Sequence, residues 1–263
     1  DREEADKVSS NIAKLLQTDA FTYSVAGLSA IHRAIFDGVF KHAGRFRDYD
    51  ISKKEWVLEG DSVLYGRWQD LRMAIEYDLE QERQFDYTAL TKKQMVEHLA
   101  NFISGLWQIH PFAEGNTRSI AIFTIKYLRS QGFRVNNELF ELNSWYFRNA
   151  LVRANYRNLE KGINYEPEYL IRFFSNLLLS EKWDLRNRYL HIHPTEEWKV
   201  QPNLSIPDKY PTSTRQVPDK FTLENENISL IVRTMGNLEW KIKDLMAEFG
   251  LKDRENFMKL YIT

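Results

Sequence analysis

The chain has 263 residues, 43% hydrophobic and 28% charged, with a net charge of -1. That length supports a substantial core, in one large domain or in a main domain with an appendage, while the balanced charge excludes a global pull toward nucleic acid or anionic lipid. With no cysteine, disulfide frameworks and thiolate metal sites are excluded, which fits a cytoplasmic location. No signal pattern or long uncharged apolar run occurs, so no membrane partner is expected. The chain opens at Asp1 without methionine, which points to trimming.

Residues 5–18 read as a helix with Val8, Ile12 and Leu15 or Leu16 on one face. Residues 25–40 carry Leu28, Ile31, Ile35 and Phe36 in the same period, and His32, set among them, is assigned to packing. A glycine-stopped stretch follows, His42-Ala43-Gly44-Arg45-Phe46-Arg47. Over 51–65, Trp56, Val57 and Leu58, then Glu59-Gly60-Asp61, then Val63 and Leu64 read as two short strands around a turn. Residues 67–81 and 91–109 are helical by period, and in the second Met95, Leu99, Phe102, Leu106 and Ile109 form one apolar stripe.

Pro111 and Gly115 break that stripe before Ile120, Phe123, Tyr127 and Leu128 restart a helical period. His110 to Arg118, which reads His-Pro-Phe-Ala-Glu-Gly-Asn-Thr-Arg, is therefore a loop between two helices. Its residue types suit phosphate handling. The start of the second helix offers unpaired N–H groups and the positive end of the dipole, and Gly115 permits close backbone approach to an anion. Arg118 can add a forked donor, Glu114 an oxygen ligand for magnesium, and His110 a general base near neutral pH. Phe112 anchors the loop inward.

This loop resembles the signature of the Fic (Fic/Doc) family, His-Pro-Phe-x-[Asp/Glu]-Gly-Asn-Gly-Arg-x-x-Arg, and agrees at seven of its nine specified positions. Gly44, Arg45 and Arg47 are similar to a second family segment, Ala-Gly-[Lys/Arg]-x-Arg. The resemblance implies a mainly α fold and transfer of AMP from Mg-ATP to a Ser, Thr or Tyr hydroxyl of a target protein. In that reading His110 deprotonates the hydroxyl, Glu114 holds Mg2+, the backbone of Gly115, Asn116 and Thr117 cradles the phosphates, and Arg118 steadies the diphosphate portion. The 51–65 hairpin would be the β-hairpin flap, with Trp56, Val57 and Leu58 pairing with the target segment. Two positions depart from the signature. Thr117 stands at the second glycine, where a branched side chain narrows the seat, and Ala121 replaces the second arginine, which in the family clamps the terminal phosphate and pairs with an inhibitory glutamate. Both leave the donor open, so transfer of another phosphate-containing group is an alternative.

Beyond the motif helix, residues 145–155 place Arg148, Asn149, Arg153 and Asn155 either on the nucleotide wall or on a solvated face. Pro167 to Leu179 reads as an apolar closing helix. His191 and His193 have the spacing of strand metal ligands but lack a third. The organisation is then a Fic-like catalytic domain over 1–193, with its core helix-loop-helix at 91–129, a linker over 194–222 that holds five of the chain's seven prolines, and a small helix-turn-helix or winged-helix-like domain over 223–263. Charges in that last region nearly cancel, which is thin for DNA; a homo-oligomeric contact or target recruitment fits as well. A non-catalytic regulator or adaptor acting through this region is the second functional alternative. Thr222 to Asn227 also matches the inhibitory signature [Ser/Thr]-x-x-x-Glu-[Gly/Asn], but Ala121 removes the partner of Glu226, and the segment is read as a helix cap.

Overall fold

In the computed structural model residues 2–193 are described, Arg2 by its backbone alone. The linker, the helix-turn-helix region and the Glu226 pattern lie outside the described residues. The described residues form eight α-helices: α1 (Arg2–Leu16), α2 (Val25–Ile35), α3 (Leu71–Arg83), α4 (Lys92–Ile109), α5 (Asn116–Ser130), α6 (Glu138–Leu142), α7 (Ser144–Asn155) and α8 (Glu168–Leu179). Three 3-10 turns, Trp56–Leu58, Trp68–Asp70 and Asn187–Leu190, complete the regular structure.

α4 is the central element, in contact with α3, α5, α7 and α8. It starts at a capping box in which Gln94 N–H donates to Thr91 Oγ1 (3.3 Å) and Thr91 N–H donates to Gln94 Oε1 (3.0 Å), an arrangement that satisfies two N–H groups the helix itself cannot. Of its stripe, Leu99, Phe102, Leu106 and Ile109 are buried as the period requires while Met95 is half-buried, and Trp107 has no exposed surface. The helix ends because His110 turns into the left-handed region (φ 53°) and Pro111 cannot continue it. α5 is buried almost all round from Ser119 to Leu128. Even its Lys126 is enclosed, with the ammonium donating to the carbonyls of Thr18 (2.8 Å) and Ala20 (3.1 Å) just beyond α1. α8 closes the other side, with Phe173 packed 4.8 Å from Phe147 and 4.9 Å from Phe140, centroid to centroid.

The expected β-hairpin flap is absent. Among the described residues there is no strand, only an isolated bridge between Asn158 and Ile163. Trp56, Val57 and Leu58 form a 3-10 turn, and Glu59 in the left-handed region (φ 56°) curls the chain so that Gly60 N–H reaches Glu55 O (2.9 Å) and Asp61 N–H reaches Leu58 O (3.1 Å). Val57 and Leu58 are adjacent and both fully buried, whereas a half-exposed strand would alternate them. The Val57 carbonyl already accepts from Ile192 N–H at 2.9 Å. These residues therefore offer no free edge to a target segment.

Candidate active site

The loop between α4 and α5 is held from both sides. Asn116 Oδ1 accepts from Phe112 N–H (2.9 Å) and its Nδ2 donates to Phe112 O (2.6 Å), which closes the turn on itself. The Asn116 side chain is thus structural, and only its main chain remains for an anion. Phe112 points inward at 1% exposure and stacks on His32 with centroids 3.8 Å apart. His32 does more than pack: Nδ1 accepts from Gly44 N–H (2.8 Å), so Nε2 carries the proton and donates to the Glu114 carbonyl (3.0 Å). Its pKa falls to about 4, mainly through burial. Neutral imidazole suits this relay, which needs one acceptor and one donor nitrogen.

Arg47 fixes the opposite end. Its buried guanidinium donates to the carbonyls of His110 (2.8 Å), Tyr49 (2.7 Å), Gly66 (2.5 Å) and Ile109 (3.3 Å), and its own N–H bonds Pro111 O (2.9 Å). A helix C-terminus leaves carbonyls unpaired and carries partial negative charge, and a cation there meets both demands. The Gly44-Arg45-Phe46-Arg47 segment thereby braces the signature loop through Gly44 and Arg47.

His110 is 4% exposed. Its ring lies 4.2 Å from the Tyr65 ring and 5.0 Å, edge-on, from the Trp107 indole. Nδ1 lies 3.3 Å from the Trp107 carbonyl. A carbonyl only accepts, so Nδ1 carries the proton and the Nε2 lone pair is free of any hydrogen bond among the described residues. Burial first, then the charges of Lys53, Arg148 and Arg47, hold its pKa well below the ordinary histidine value. The imidazole is neutral at pH 7, the state a general base requires.

Glu114 is the exposed member, its side chain 62% accessible, and its carboxylate lies 3.5 Å from Lys53 Nζ. Gly115 sits at φ 76° as the cap of α5 and, having no side chain, leaves the N–H groups of Asn116, Thr117 and Arg118 uncapped. A Cβ on Gly115 would come within 2.2 Å of the Phe36 ring. Thr117 Oγ1 accepts from Trp107 Nε1 at 3.0 Å, so the hydroxyl that replaces the family's glycine is engaged by α4. Arg118 lays its guanidinium 4.7 Å above the Phe36 ring. Ala121 is buried.

Sequence reasoning missed a buried group beside His110. Glu55, with no exposed surface, accepts from Tyr65 OH (3.1 Å) and from both terminal nitrogens of Arg148 (2.5 and 3.0 Å). Arg148 was one candidate for the nucleotide wall, and it is committed to Glu55. Asn149, Arg153 and Asn155 are buried ties rather than a wall or a solvated face: they donate to Asn187 Oδ1, Leu190 O and Ser104 respectively. A polar stripe on an amphipathic helix does not distinguish these roles; only the partner helices do.

Helix, loop and helix, with an imidazole at the first terminus and a glycine-capped second terminus, form the part of the chain that carries the Fic-like signature. Residues 22–128 match the model of the Fic/DOC family. Over 120 residues the chain is 27% identical to the probable protein adenylyltransferase Fic of Escherichia coli (strain K12), covering 45% of this chain and 56% of that relative, so the chain spans little more than half its length. The N-terminal Fic domain of a VirB-translocated Bep effector of Bartonella quintana, solved with bound ADP, is similar with a TM-score of 0.53 and 16% identity, covering 74% of this chain and 86% of that one. The N-terminal Fic domain of Bep8 from Bartonella sp. 1-1C has a TM-score of 0.50 and 16% identity over 65% and 81% of the two chains. At such identities the structural likenesses speak to the fold.

Proposed function

We propose that the chain transfers AMP from Mg-ATP to a Ser, Thr or Tyr hydroxyl of a target protein, with His110 as general base. One observation carries the reading: a neutral imidazole with its Nε2 lone pair unclaimed stands at the end of α4, one short loop before the uncapped amides of α5. The target oxygen attacks the α-phosphorus as its proton passes to Nε2. The bond from that phosphorus to the oxygen bridging the β-phosphate breaks, and diphosphate leaves. The amides of Asn116 and Thr117 and the Arg118 guanidinium receive the phosphate oxygens. The name of the Escherichia coli relative is in keeping with this activity.

Glu114 would hold Mg2+. A single exposed carboxylate fits an ion that is usually bound by one or two carboxylates together with substrate phosphates. When bound, the ion neutralises charge on the polyphosphate. Until then Lys53 is the cation on Glu114.

The test offers ATP labelled at the α- or the γ-phosphate together with candidate targets. Label from the α position alone is expected; transfer from γ alone would replace AMP transfer with a kinase-like reaction. His110→Ala should reduce transfer by at least about a hundredfold with nucleotide affinity kept, the usual range for loss of a general base. Unchanged transfer in that variant would overturn the assignment.

A further inference from the structure

A second anion site lies outside the signature loop. One face of α2, the Gly44–Phe46 segment and the start of α3 enclose a cleft of about 490 Å3 lined by Val25, Ala26, Ser29, Ala30, Arg33, Gly44, Arg45, Phe46 and Arg72. That volume lies in the range of small-ligand sites, and no residue of His110 to Arg118 contributes to it.

Its lining charge is entirely positive. Arg33, Arg45 and Arg72 are exposed, and among the described residues none of them is in an ion pair. Three guanidinia around one cleft without a lining counter-charge favour a bound anion. Gly44 is what lets Arg33 into the cleft wall, since a Cβ there would sit 2.9 Å from the Arg33 Nε. Arg72 is steered over the Phe46 ring, 6.0 Å from its centroid. Ser24 caps α2 by accepting from Gly27 N–H, so the N–H groups of Val25 and Ala26 in the cleft wall are left to another acceptor. The remaining lining is apolar, from Val25, Ala26, Ala30 and Phe46.

We propose that this cleft binds a compact ligand bearing two or more phosphate groups. Planar forked donors and helix amides match phosphate oxygens, and several charges are needed to balance three guanidinia. The ligand is either a free polyphosphate or a nucleoside polyphosphate whose base lies on the apolar lining.

The experiment titrates the full chain with inorganic triphosphate and, separately, with ATP by calorimetry. The variants are Arg33→Ala/Arg72→Ala, Arg45→Glu and, to mark the signature loop, Arg118→Ala. All three cleft positions are exposed, and a thermal melt checks that the variants fold. Triphosphate binding that survives Arg118→Ala is expected, and each cleft variant should weaken that component at least about tenfold, as the loss of charge-assisted bonds does. Equal affinities for triphosphate and ATP there assign the free polyphosphate; tighter ATP binding assigns the nucleotide. The proposal is overturned if the cleft variants bind triphosphate as the parent does, if all binding vanishes with Arg118→Ala, or if triphosphate does not bind. Because the cleft component is defined by its own arginines, it stands or falls separately from AMP transfer at His110.

Discussion

His32 shows how much a single side chain can settle. It joins Gly44 to the Glu114 carbonyl only when neutral, since a second ring proton would face the Gly44 N–H. Its folded pKa of about 4 lies below the ordinary 6.5, so the unfolded chain binds this proton more readily. Stability from His32 is complete above pH 6.5, falls as pH drops from there toward 4, and changes no further below that. For a fully buried group shifted this far the loss is on the order of 3 kcal/mol. Urea unfolding of the parent and of His32→Gln at pH 7 and pH 4.5 should show a smaller pH difference in the variant; equal differences would remove His32 from the acid response. Gly115 makes an independent demand, because its φ of 76° and the Phe36 ring leave no room for a side chain. Gly115→Ala should cost roughly 2–4 kcal/mol in a denaturant titration, from left-handed strain plus overpacking. The glycine was legible in the sequence as a helix-start signal. The Phe36 ring beneath it was not, since that contact spans far more of the chain than any local pattern reaches.

At the scale of elements, periodicity located the helices that have one buried face, and α4, α7 and α8 begin and end within a residue or so of the expected positions. The signature loop fell where Pro111 and Gly115 indicated. The 51–65 segment was misread because Trp56-Val57-Leu58 followed by Glu-Gly-Asp has the composition of a strand and turn, while its consecutive burial belongs to a 3-10 turn packed under Ile192. The exposed apolar residue of this segment is Leu64, at 84%. Its carbonyl accepts from Gln108 Nε2 (3.0 Å), and the next residue, Tyr65, lies against the His110 ring. A target segment approaching His110 would meet Leu64 rather than Trp56, Val57 or Leu58. Leu64→Asp should therefore raise the KM for the protein target several-fold and leave the nucleotide affinity unchanged. Steady-state kinetics with each substrate varied separately would reveal an unaltered target KM, the result that removes Leu64 from the target surface.

Across the molecule, the described chain closes on itself at its C-terminal end. Leu190 is fully buried, its carbonyl accepts from Arg153, Asn187 pairs with Asn149, and Tyr169 OH donates to Tyr189 O at 2.6 Å. Ile192 N–H then reaches back to Val57, so residues 187–192 clamp α7 and α8 to the 56–58 turn that carries Glu55 toward Tyr65, which lies against the His110 ring. From this closure we propose that residues 1–193 fold as a unit, the domain boundary expected from the proline-rich stretch. Cutting after His193 should keep a single cooperative melt by circular dichroism at 222 nm. Cutting after Ser180 removes the clamp, leaving Arg153 and Asn149 buried without these partners and Tyr169 without its acceptor. Unpaired buried polar groups cost about 1–3 kcal/mol each, more for a charged one, so the shorter chain should lose several kcal/mol, a large part of the stability of a typical domain. A shorter chain that melts like the longer one would mean that the clamp contributes little and that α7 is held by α4 and α8 alone.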